Sequence, residues 1–146
     1  MSKTVSASNS IVIAKPVEEV FVFFADAEND PKWRTGVQSI ERQGDLAVGV
    51  EYRQTVSGPG GRAIPADVRV TAYDPPNRVG FEGIAGPVRP RGEYRVESTD
   101  GGARVTFSLS AELGGLKAVV MAGMVQKTMD SEVAGLSKAK TVLEGS

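Results

Sequence analysis

The chain has 146 residues, enough for one domain with its own core and no metal or disulfide staple. Its 17 basic and 18 acidic side chains nearly cancel, so little long-range attraction draws it to phosphate backbones, and no nucleic acid partner is expected. Cysteine and histidine are both absent, which excludes disulfides, zinc–thiolate sites, Ser-His-Asp triads and histidine-ligated metal or haem; no cofactor is expected, and acid–base chemistry falls to Asp, Glu, Lys or Tyr.

Residues 4–14 place Val5, Ala7, Ile11 and Ile13 on one parity and Ser6, Ser8 and Ser10 on the other, the pattern of a half-buried strand. The opening Met1 to Ser6 has no apolar run after its single charge, so it does not read as a secretory signal and a cytoplasmic location is expected. After Pro16, the residues Val17, Val20, Phe21 and Phe24 fall at i, i+3, i+4 and i+7 and predict one apolar helical face. Glu18 and Glu19 sit in its first turn, where they suit the helix dipole. Residues 26–34 read as a second short helix or turn holding the only tryptophan, Trp33.

A run of strands follows. Residues 36–43 come first, then residues 50–57, where Val50, Tyr52, Gln54 and Val56 alternate with charged or polar neighbours. Residues 63–73 alternate again, 79–82 form a short strand, and 91–98 and 103–112 pair across the turn Asp100-Gly101-Gly102. Asp74-Pro75-Pro76-Asn77 is a further turn, and Gly83 to Pro90 a Gly/Pro-rich loop. Residues 116–143 contain no proline, and Val125, Met129, Glu132, Leu136, Ala139 and Leu143 step along one face; a single helix of this length would be about 42 Å long. The longest apolar stretch, residues 118–125, is far short of the roughly 20 residues of a membrane span.

The order is thus one strand, two short helices, about six strands and one long helix. Each strand keeps one apolar face, and no helix separates the strands between 36 and 112, so the sheet is antiparallel and packed on one side. Only the C-terminal helix is long enough to cover it. The fold class is α+β.

Several segments resemble one superfamily. Ile13-Ala14-Lys15-Pro16-Val17-Glu18-Glu19-Val20-Phe21 is similar to its strand-to-helix entry, and Asp26 to Trp33 to its Asp-x-x-x-x-Pro-x-Trp turn. Val70-Thr71-Ala72-Tyr73-Asp74-Pro75-Pro76-Asn77-Arg78 resembles its Val-Thr-x-Tyr-x-Pro-Pro-x-Arg hairpin. Gly101-Gly102-Ala103-Arg104-Val105-Thr106 is similar to its last hairpin, and Leu136 to Glu144 to its Leu-x-x-x-Lys-x-x-x-Glu ending. On these residues the chain resembles the START-like superfamily, also called SRPBCC or helix-grip proteins, and within it the polyketide cyclase/dehydrase-like group. The resemblance spans nearly the whole chain and implies one domain over residues 1–146, a helix-grip fold. About seven curved antiparallel strands would wrap around the C-terminal helix and enclose a deep cavity. Relatives bind lipids, sterols, polyketides, aromatic compounds or plant hormones, and some are cyclases, dehydratases or hydrolases. Enzymatic relatives often carry a histidine or a concentrated set of acids and bases in the cavity. Here there is no histidine, and the inward parity is nearly all apolar.

The expected partner is therefore a small hydrophobic molecule, with no membrane span. Tyr52, Gln54 and Tyr94 are the polar groups on the inward parity and candidate ligand contacts, with Phe107 beside them. Met121, Met124, Val125 and Met129 supply adaptable apolar surface from the helix. Val119, Val120, Met121, Ala122, Met124 and Val125 go more than one face round, so a lid, a cavity mouth or a homodimer partner is expected on the second side. Gly58-Pro59-Gly60-Gly61 leads into a strand and not a helix, so it is no phosphate cradle; it is either a loop at the cavity mouth or a plain hairpin connection. Arg89, from the second Gly/Pro loop, is a candidate for a ligand carboxylate. Glu132 is either an acid in the cavity, a residue at a wet edge, or the partner of an arginine from the sheet. Trp33 either packs the short-helix turn onto the sheet or faces the ligand. An enzyme using tyrosine or glutamate for proton transfer is the alternative to a binding protein.

Overall fold

The computed structural model describes residues 2–86 and 88–145, without the side chains of Ser2, Pro59, Lys117 and Val119; expectations that touch Pro87 and the Val119 side chain lie outside the described residues. In chain order the elements are β1 Ser2–Ile13, α1 Val17–Ala25, a 3-10 helix Ala27–Lys32, β2 Val37–Arg42 and β3 Glu51–Ser57. A 3-10 turn Pro59–Gly61 leads to β4 Ala63–Pro65, β5 Val68–Asp74, β6 Arg78–Gly83, β7 Arg91–Thr99 and β8 Gly102–Gly114. The chain ends in α2 Leu116–Ala134 and α3 Leu136–Glu144.

All strand pairs are antiparallel, in the order β1-β8-β7-β6-β5-β3-β2, with β4 paired to β3 beside β5. The period-2 pattern sets which face is buried. On β8, Ala103, Val105, Phe107, Leu109, Ala111 and Leu113 all point inward, while the intervening Ser and Thr side chains of β8 and β1 meet on the outer face. Burying one such aliphatic or aromatic side chain contributes about 1.5–3 kcal/mol, so this one strand accounts for a large part of the core.

Pro16 starts α1 with φ −62°, where a missing N–H is harmless, and Val20, Phe21, Phe23, Phe24 and Ala25 are buried. The helix stops at Ala25 because Asp26 turns extended and caps the next element, accepting the Glu28 N–H at 3.1 Å. Asp26 also takes Arg42 at 2.7 Å and the Tyr52 hydroxyl at 3.1 Å, so one carboxylate ties α1, β2 and β3 together.

The structure departs from the sequence pattern in two places. The predicted strand 63–73 is divided between β4 and β5, because Pro65 has no N–H to continue the ladder and the Asp67 side chain replaces a backbone carbonyl opposite the Gln54 N–H at 3.0 Å. The predicted single helix 116–143 is interrupted at Gly135, whose N–H bonds back to Glu132 O at 3.1 Å. A side chain at Gly135 would stand 3.4 Å from the Trp33 ring, so the tryptophan seats directly on the helix backbone there. The family ending has a plain physical job. Lys140 Nζ bonds Glu144 at 2.6 Å and Val12 O at 2.7 Å, and Glu144 accepts the Ala14 N–H at 2.8 Å, fixing α3 to the end of β1.

Candidate functional site

A cavity of about 520 Å³ lies between the inner face of the sheet and α2. That is within the size range of pockets that take drug-sized molecules. Val68, Val70, Val79, Phe81, Phe107 and Leu109 form its sheet wall, and Met121, Met124, Val125 and Met129 its helix wall. Two Gly/Pro segments complete it, Gly58 to Pro65 on one side and Gly83 to Pro90 on the other. They meet at Gly86, where φ is 92° and a Cβ would fall 2.5 Å from the Pro65 carbonyl oxygen. Only glycine permits that approach.

One corner of this apolar cavity is polar. Asp30 and Arg34 enter it from the 3-10 helix and the turn after it, Gln54 from β3, Tyr94 from β7 and Glu132 from the last turns of α2. The Arg34 guanidinium donates through Nε to Glu132 Oε2 at 2.8 Å and through Nη2 to Glu132 Oε1 at 3.4 Å. Its Nη1 donates to Asp30 Oδ2 at 2.8 Å and to Gln54 Oε1 at 3.1 Å. The Gln54 amide nitrogen donates in turn to Ala66 O at 2.8 Å. Burial pushes the Asp30 carboxyl up to about 6, against the pull of Arg34. Burial alone would lower the Arg34 guanidinium, but Asp30 and Glu132 outweigh it and hold its pKa raised.

Tyr94 is the aromatic centre of the site. Its ring stacks on Phe107 at 4.4 Å and lies near Phe24 at 5.1 Å and Phe81 at 5.9 Å. Nothing hydrogen-bonds its hydroxyl among the described residues, although the residue is only 4% exposed. Burial, and then the charge of Asp30, push the phenol well above its usual range.

The structure brings together on the cavity wall Tyr52, Gln54, Tyr94, Phe107, Met121, Met124, Val125 and Met129 of the expected residues. Their polar tips differ. The Tyr52 hydroxyl donates to Asp26 and accepts the Ala27 N–H, so only its ring is offered to the cavity; burial raises its pKa to about 12. Gln54 is satisfied at both ends, which leaves Tyr94 as the unengaged hydroxyl.

Two expected contacts are placed elsewhere. Trp33 is 1% exposed and lies behind the wall, edge-on to Phe24, Tyr94 and Phe107, where it supports the stack without lining the cavity. Arg89 is exposed in the β6–β7 loop, points back to Gly86 O at 3.5 Å and does not line the cavity. Glu132 does pair with an arginine, but that arginine comes from the turn after the 3-10 helix, not from the sheet. The expectation of an inner face with no set of acids and bases is also corrected: Asp30, Arg34 and Glu132 form one. Strand parity missed Asp30 and Arg34 because neither lies on a strand. Their i, i+4 spacing on either side of Pro31 and Trp33 is the signal that was available.

Helix α2 carries exposed apolar surface next to the cavity. Met124 lines the cavity and is 53% exposed, and Val120 and Leu116 continue an exposed apolar line at intervals of four. Among the described residues no group of acids could hold a metal ion, and no helix is long and apolar enough to cross a membrane.

Residues 4–144 match the family described as polyketide cyclase / dehydrase and lipid transport. No curated protein matches the sequence. A solved structure of a Thermus thermophilus protein superposes with a TM-score of 0.76 at 22% identity, covering 99% of this chain and 100% of that one. The di-domain ARO/CYC StfQ of the steffimycin biosynthetic pathway gives 0.80 at 13% identity, covering 94% of this chain but half (50%) of StfQ. Ara h 8.0201 gives 0.63 at 16% identity, over 90% of this chain and 99% of that one. At such identities the likeness is one of fold. A curled antiparallel sheet closed on a C-terminal helix, with the family match along almost its whole length, places the chain in the polyketide cyclase / dehydrase and lipid transport family of the SRPBCC superfamily.

Proposed function

We propose that the chain binds one small, mostly apolar molecule in the cavity between the sheet and α2. The observation that carries this reading is the cavity itself: about 520 Å³ inside a 146-residue chain, walled by aliphatic, aromatic and methionine side chains. Protein interiors pack to crystal-like density, and an apolar void of this size forfeits contacts that a ligand would restore. The family description and the fold shared with StfQ and Ara h 8.0201 support a ligand-holding scaffold.

Native mass spectrometry of freshly purified protein, followed by solvent extraction, tests the proposal. A near one-to-one mass increment from a lipid, aromatic or polyketide-like compound is expected. A bare mass, with no thermal shift across a panel of hydrophobic compounds, would overturn it.

A second reading is supported by Asp30. A carboxyl that titrates at about 6 on the wall of a ligand cavity has the acidity of a general acid–base group. On that reading the bound molecule is also turned over, as in a cyclase or dehydratase, and Asp30→Asn abolishes turnover of the extracted ligand. Unchanged recovery of the ligand after prolonged incubation with the protein would exclude it.

A further inference from the structure

We propose that the polar corner selects a neutral, hydroxyl-bearing ligand and rejects the matching carboxylate. The inference rests on the binding reading above and gives the ligand its chemical class.

The corner is short of counter-charge for an anion. Arg34 is its only cation among the described residues, and all three guanidinium nitrogens already donate to Asp30, Gln54 or Glu132. Two carboxyl groups face one guanidinium, so at neutral pH the corner carries no surplus positive charge. A ligand carboxylate would lose its hydration shell and meet acceptor oxygens and like charge.

What the corner leaves unmet is different in kind. The Tyr94 hydroxyl is a donor and an acceptor with no partner among the described residues, held against the cavity by the Phe24, Phe81 and Phe107 rings. Asp30 Oδ1 is a buried acceptor with none. Buried polar groups are rarely left so. A hydroxyl both accepts and donates, so a single ligand O–H answers the phenol in either direction, whereas Asp30 Oδ1 is closed off from the cavity. A bare hydrocarbon would fill the apolar walls and leave the phenol unpaired.

The experiment compares three ligands that share one apolar body: 1-pyrenemethanol, 1-methylpyrene and 1-pyrenecarboxylate, titrated calorimetrically into the wild-type protein at neutral pH. We expect the alcohol to bind about tenfold more tightly than the hydrocarbon, the worth of about one net buried hydrogen bond. The carboxylate is expected to bind at least about a hundredfold more weakly than the alcohol. In Tyr94→Phe the alcohol-to-hydrocarbon ratio should fall toward one. In Glu132→Gln, which removes one negative charge, the carboxylate should gain on the alcohol. Equal binding of all three compounds would overturn this inference while leaving the cavity reading intact. Binding of none would overturn the cavity reading, and this inference with it. A carboxylate that binds as well as the alcohol, or a Tyr94→Phe variant that keeps the full preference, also overturns it.

Discussion

The two ends of the C-terminal helix are built on opposite terms. In α3 the apolar residues Leu136, Ala139 and Leu143 share one buried face, Lys140 donates to Val12 O at the end of β1 at 2.7 Å, and Glu144 accepts the N–H of Ala14 just after it at 2.8 Å. The first turns of α2 bury Ala118, Ala122 and Val125 on one face but carry apolar side chains on the outer face as well. The helix starts from Gly115 at φ 64° with no side-chain cap and no acidic residue in its first turn, and Leu116, Val120 and Met124 show apolar surface to the outside. The same first half also faces the cavity. Elements that admit ligands are drawn from the less stable parts of a fold, so on the proposed binding reading the first half of α2, and not α3, is the part expected to yield.

The largest effect that sharpens this contrast is expected at Leu136. It is 0% exposed, and Leu→Ala at such sites costs about 2–5 kcal/mol, with about 4 expected here because Trp33 and its neighbours leave little room to relax. Urea denaturation of Leu136→Ala would show it as a lowered midpoint with an unchanged slope. A loss below about 1 kcal/mol would mean that α3 is not the firmer end.

The next effect lies where the two ends meet, at the Asp30–Arg34–Glu132 cluster. Well below pH 3.8 the Asp30 carboxyl is protonated in the folded and unfolded chains alike. As pH rises the unfolded chain releases the proton near 3.8, while the folded chain keeps it to about 6. Stability from this group is therefore full well below pH 3.8 and is lost as pH rises from 3.8 to about 6. At about 1.4 kcal/mol per pKa unit the loss comes to about 3 kcal/mol. Asparagine cannot titrate, so the stability difference between wild type and Asp30→Asn should move by about that amount from about pH 3 to pH 7, to the disadvantage of the wild type. A difference that stays flat across this range would show that Asp30 titrates as an ordinary carboxylate.

The sheet and the closing helix were legible in the sequence because both announce themselves by period, two for strands and a three-and-four step for Val125 to Leu143. The inward residues of β3, β7 and β8 follow from the same parity, and the methionines of α2 from the helical step. Parity tells which face a residue takes, not where its polar tip ends. Tyr52 and Gln54 point inward as read, yet their tips are taken by Asp26, Ala66 and Arg34. The charged corner was illegible for a related reason: Asp30 and Arg34 sit in a short irregular turn, where no period assigns a face. The break at Gly135 was hidden because the ring packed against it, Trp33, is about a hundred residues away in the chain.

The smallest stability effect is expected at Met124, and it tests the other side of the contrast. Met124 lies twelve residues before Leu136 in the sequence, but it is half-exposed on one side and faces empty space on the other. Truncating it removes few packed contacts and opens no new void in a filled core, so Met124→Ala should cost less than about 1 kcal/mol. The effect should appear instead in ligand exchange: with the side chain gone from a wall that reaches the outside, the dissociation rate of a bound pyrene compound should rise while the unfolding midpoint stays nearly fixed. Stopped-flow displacement on the variant measures the first, and urea denaturation the second. If Met124→Ala instead costs as much stability as Leu136→Ala, the first half of α2 is ordinary core, and the cavity behind it is held as tightly as α3.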